Sequence, residues 1–160
     1  LHQFPFYPYE GEAHETGEGS AAGTTVNIPL PAFTAGDVYL EAFEEIAMAS
    51  VAEFGPDWIL ISSGFDGHAR DPLAELRLTE ADYAAMTGLV AKAVPANRIV
   101  AFLEGGYHLP AIRDSVTAVV RTLVGEPVEV EPSSFVSPDE SRLVLEKVRA
   151  SLAAQIPGVG

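Results

Sequence analysis

Two short, glycine-flanked segments carry the side chains best suited to chemistry. In Gly64-Phe65-Asp66-Gly67-His68 an acid and an imidazole stand two residues apart, and the glycines let the backbone turn tightly around them. Such a pair offers hard donors to a cation. In Leu103-Glu104-Gly105-Gly106-Tyr107-His108 a phenol follows two residues without side chains, so a ligand can approach the backbone beside the hydroxyl. An uncharged phenol can donate a hydrogen bond to a developing oxyanion. Plainer readings exist for every one of these groups. Asp66 can satisfy loop N–H groups, His68 can bond to backbone or water, and Asp71 before Pro72 suits a turn. Tyr107 suits an aromatic plug at a sheet edge. Spacing alone leaves both readings open, and His2, His14 and His108 have no spacing that makes a ligand pair.

The elements that position these segments follow from periodicity. Trp58-Ile59-Leu60-Ile61 and Ile99 to Leu103 are unbroken apolar runs of strand length, the composition of strands buried on both faces, and each opens into one of the two loops. A further strand is expected over 24–30, around Val26 and Ile28. Helices are expected over 37–54, with Asp37 as cap and Gly55-Pro56 as stop; from the Thr79-Glu80-Ala81-Asp82 capping pattern to Pro95; and from Pro110 to Leu123. Strands alternating with amphipathic helices imply an α/β fold, a parallel sheet of about three strands with helices on both faces, four helices in all. Chemistry in such sheets collects at the C-terminal ends of the strands, where both loops fall. The whole of 1–160 reads as one domain. It divides into an irregular aromatic and acidic segment at 1–23, strand-helix units at 24–125, a Pro- and Glu-rich linker at 126–136, and a last helix at 137–156 that Ser137-Pro138-Asp139-Glu140 would cap.

Composition excludes several classes. The 160 residues carry 23 Asp and Glu against 9 Lys and Arg, a net charge of −14, which disfavours a grip on phosphate backbones, so no direct nucleic-acid partner is expected. The absence of cysteine removes disulfides, thiolate nucleophiles and Cys-containing zinc sites, leaving His, Asp and Glu as strong metal ligands. No apolar run approaches the ~20 residues of a membrane span, so no membrane partner and a cytoplasmic location are expected. The opening Leu1-His2-Gln3, without an initiator methionine, reads as the interior of a longer protein.

The order of motifs resembles a known family. Ile61-Ser62-Ser63-Gly64-Phe65-Asp66-Gly67-His68-Ala69-Arg70-Asp71-Pro72-Leu73, then Leu78-Thr79, then Leu103 to Leu109 are similar to the zinc-dependent histone deacetylase, acetoin-utilisation and acetylpolyamine amidohydrolase family. The segments from Leu1 to Pro8, at Gly17-Glu18-Gly19 and from Val26 to Pro31 extend the likeness over roughly residues 1–125. The resemblance implies the C-terminal part of an arginase/deacetylase fold and removal of acetyl groups from acylated amines. By it, Asp66 is the later of two aspartates that bind the catalytic zinc, and Tyr107 is the hydroxyl that polarises the acetyl carbonyl. Gly105 and Gly106 would line the acyl-lysine tunnel, Tyr7 would form part of its wall, and Leu73 would sit at its mouth. His68 matches no ligand of the family.

A departure accompanies the likeness. The family's His-His pair and its Asp-x-His segment precede the position that matches Leu1, and this sequence has no equivalent. Zinc is therefore expected to be weakly held or absent, and the chain inactive alone. The alternative expectation is a non-catalytic, self-associating domain. In either case a homo-oligomer, most simply a dimer, or a rearrangement of residues 1–23 would cover the strand edge exposed at the first strand.

Overall fold

The structure, a computed structural model, describes residues 1–153. The last three residues of the helix expected at 137–156 lie outside them. The elements run β1 (His2–Gln3), β2 (Pro29–Leu30), α1 (Gly36–Ala42), α2 (Ala49–Phe54), β3 (Ile59–Ser63), α3 (Glu80–Ala93), β4 (Ile99–Leu103), α4 (Leu109–Leu123) and α5 (Asp139–Leu152). A wide π-helical turn over Phe43–Met48 joins α1 to α2, so residues 36–54 form one continuous helix that ends at Gly55 in the left-handed conformation. The α/β class and its parallel pairing are as expected.

Among the described residues all strand pairing is parallel. β3 pairs with β4 in the register Ile59 opposite Ile99 through Ser63 opposite Leu103, and α3 is the crossover between them. β1 pairs separately with β2. The strand expected over 24–30 is thus shortened to Pro29–Leu30 and stands outside the β3–β4 sheet. Pro29 and Pro31 have no N–H to give a longer ladder.

Burial departs from expectation in two places. Side chains alternate along a strand, so Leu60 and Ser62 share a face with Val100 and Phe102. That face is open, with Leu60 67% and Phe102 49% exposed, where the apolar runs suggested strands covered on both sides. The short first strand, expected as an exposed edge, is buried instead: Leu30 is wholly enclosed because β1 lies beside it and α5 packs against it.

The core gathers Leu30, Val38 and Ile46 with Phe65 and Leu78 of the loops and Leu145 and Leu152 of α5. α5 is fastened to the start of α1 by polar groups as well. Thr34 and Ser141 share a buried hydrogen bond of 2.8 Å between their hydroxyls. The Ser137 hydroxyl accepts from the Ala35 N–H at 2.8 Å, just before α1, and bonds to the Asp37 carboxylate. Ser137 therefore secures the start of α1 rather than capping α5, and Asp37 accepts from Ser137 rather than capping its own helix. Arg142 and Arg149 extend the seam to Glu41, with Arg149 also pairing with Glu45.

At the start of α3 the expected capping pattern is present. The Asp82 carboxylate accepts from the Thr79 N–H at 2.7 Å and from the Thr79 hydroxyl at 2.9 Å. Asp82 is buried against Gly36, where a Cβ would overlap its carboxylate, and burial raises its pKa.

Candidate active site

β3 and β4 end side by side, so the segments that follow them leave the sheet at one edge. The ladder continues one step past each strand: the Glu104 N–H donates to the Ser63 carbonyl at 3.1 Å, and the Phe65 N–H to the Gly105 carbonyl at 2.7 Å. The Asp66 carboxylate lies over this junction. A Cβ on Gly64 would come within 2.7 Å of Asp66 Oδ1, and one on Gly105 within 2.8 Å of the same atom. Both glycines are needed for that close approach. The charge of Asp66 is felt below by the buried phenols of Tyr39 and Tyr83, whose pKa values are raised by burial first. Phe65 packs edge-on to Tyr83, with ring centroids 4.9 Å apart.

Gly106 then leaves the ladder at φ +128°, a backbone conformation that an L side chain rarely adopts, and delivers Tyr107. Tyr107 is 61% exposed, and its backbone N–H donates to Asp71 Oδ2 at 2.7 Å. Asp71 Oδ1 accepts from the Leu73 N–H at 3.0 Å. The structure thus brings Asp66, Gly105, Gly106, Tyr107, Asp71 and Leu73 together at one end of the sheet. Tyr7 is 81% exposed, and among the described residues no hydrogen bond or ring contact joins it to that group.

His68 is buried beneath the loop. Its Nδ1 accepts from the Arg70 N–H at 3.0 Å, which leaves the ring proton on Nε2, 3.4 Å from Glu80 Oε1. Burial lowers its pKa. Arg70 pairs with Glu80 and, at 3.1 Å, with Asp114, anchoring the loop to α3 and α4. Sequence reading took Asp71 for a turn residue and missed its reach to Tyr107. The turn is real, but its second oxygen serves a strand end 36 residues away.

Among the described residues no group of three His, Cys, Asp or Glu is placed to hold a metal ion. Asp66 is a carboxylate propped between Gly64 and Gly105.

The histone deacetylase domain matches residues 1–123. The chain belongs to that family. Its curated relatives include "Histone deacetylase 10, chloroplastic" of Oryza sativa subsp. japonica, 41% identical over 129 residues, which covers 79% of this chain and 29% of the relative. "Polyamine deacetylase HDAC10" of Homo sapiens is 35% identical over 155 residues, covering 95% of this chain and 23% of the relative. Among solved structures, the HDA15 HD domain superposes with a TM-score of 0.86 at 29% identity, over 97% of this chain and 42% of that one. The histone deacetylase Clr3 gives 0.88 at 32% identity, over 97% and 26%. This deacetylase-family chain therefore spans less than a third of those curated relatives and under half of either solved chain. Among its described residues no helix is long and apolar enough to cross a membrane.

Proposed function

We propose that this chain carries the Asp66 and Tyr107 side of a zinc-dependent amidohydrolase site that removes acetyl groups from acylated amines. The observation that carries the reading is the junction itself: the Asp66 carboxylate rests on Gly105, two residues before Tyr107, at the shared end of β3 and β4. In this reading Asp66 would be one of the residues that hold the metal, which would supply an activated water. The Tyr107 hydroxyl donates to the substrate carbonyl oxygen and stabilises it as negative charge develops, an effect worth about 10²–10³ in rate for a single donor. Gly105 and Gly106 keep the approach to that oxygen open, and Leu73 and Tyr7 supply apolar surface to the acyl chain. A lone carboxylate holds zinc weakly, so the remaining ligands come from outside the described residues and the chain alone is silent.

The test is an acetyl-lysine and acetylpolyamine assay with added zinc, run on the 160-residue chain and on the product of the complete reading frame that encodes it. Turnover is expected only from the latter; Asp66→Ala should abolish it and Tyr107→Phe should slow it by about 10²–10³. Turnover unaffected by either substitution, or none at all with zinc supplied, defeats the proposal.

A second reading has its own support. The face bearing Leu60, Val100 and Phe102 is apolar and open among the described residues, which favours a self-associating domain, most simply a dimer.

A further inference from the structure

We infer that Asp71 is a positioning residue for Tyr107, holding the proposed oxyanion donor and the apolar residue at the tunnel mouth with a single carboxylate. The inference rests on the function proposed above. Its structural basis is the division of labour between two oxygens: Oδ2 accepts from the Tyr107 N–H at 2.7 Å and Oδ1 from the Leu73 N–H at 3.0 Å. Hydrogen bonds to an ionised acceptor are about twice as strong as neutral ones.

Tyr107 needs this support because little else fixes it. The strand ladder ends at Gly105, and Gly106 turns the chain away from it. Among the described residues the Tyr107 hydroxyl has no hydrogen-bond partner and its ring makes no aromatic contact. The backbone N–H is then the point at which the residue is held.

Asp71, by contrast, is well anchored. Its own N–H donates to the His68 carbonyl at 2.8 Å, and the Ala69 N–H reaches the Leu78 carbonyl at 2.8 Å. On the far side Arg70 ties the loop to Glu80 and Asp114. A firm loop after β3 therefore sets the place of a residue after β4 through one side chain.

Asparagine separates this role from a local turn. The Asp71→Asn side chain would keep one carbonyl oxygen, and asparagine favours the short-range bond to the N–H two residues on. Its amide group would then face the Tyr107 N–H, donor against donor. In the 160-residue chain, amide hydrogen exchange followed by NMR should find both Tyr107 and Leu73 protected in the wild type. Asp71→Asn should keep Leu73 protected and speed exchange at Tyr107 by about tenfold or more; Asp71→Ala should release both. In the reading-frame product, Asp71→Asn should lower kcat with little change in KM, and the double variant with Tyr107→Phe should be no slower than Tyr107→Phe alone. A Tyr107 amide that exchanges as fast in the wild type as in Asp71→Asn overturns the inference, and so do rate losses that simply add. Absence of wild-type turnover would instead defeat the proposed function, with the exchange result still deciding the place of Asp71.

Discussion

Oδ1 of Asp66 and the backbone of Gly105 lie so close that a Cβ added to the glycine would stand 2.8 Å from that oxygen and 3.0 Å from Cγ. One loop is therefore the resting surface for the functional group of the other. Gly105→Ala should displace the carboxylate and destabilise the fold by about 1–3 kcal/mol, the usual cost of forcing a methyl into a filled space. Urea denaturation monitored at Trp58 would measure it, and an unchanged midpoint would mean the contact relaxes freely.

Zinc affinity offers a second prediction. Competition against a chromophoric chelator should show weak binding to the 160-residue chain, reduced further in Asp66→Ala and unchanged in Tyr107→Phe. Tight binding that survives loss of Asp66 would place a metal elsewhere.

The open sheet face bears on oligomeric state. Analytical ultracentrifugation of the chain at micromolar concentration should reveal a dimer or larger species, and Phe102→Glu should shift it toward monomer by placing a charge on the apolar face. A single 17.0 kDa species for the wild type would rule self-association out.

Acid should loosen the last helix. The hydrogen bond from Arg149, joined by that from Arg142, holds the Glu41 carboxyl below its ordinary pKa of 4.5. A depressed carboxylate contributes stability that is fully present above the unfolded value and is lost as pH falls through the folded one. Thermal melts should therefore show the wild type losing more stability than Glu41→Gln between about pH 5 and about pH 3. Parallel losses in the two proteins would contradict this.

The sequence made some of this readable and hid the rest for physical reasons. Asp66 and Tyr107 were singled out by the likeness of their motifs to the family; their common edge was readable because each follows an unbroken apolar run, and runs of that length become strands whose ends coincide when the pairing is parallel. The Thr79–Asp82 bond was visible because its partners are three residues apart. Ser137 was misread because its partner, Asp37, is 100 residues distant, and a serine before Pro-Asp-Glu looks like a local cap. The exposure of Leu60 and Phe102 was equally hidden, since an apolar run records what a strand is made of and not what covers it.

The polar and apolar seam made by α5 separates two ideas of a boundary. The match to the family's domain stops at residue 123, yet Ser141, Leu145 and Leu152 farther along are among the most completely enclosed side chains of the molecule. A clone trimmed to the matched region would lose the Ser141 hydroxyl opposite Thr34 and open the hydrophobic centre to water. The unit that must be expressed to obtain a stable product is longer than the unit by which its ancestry is read.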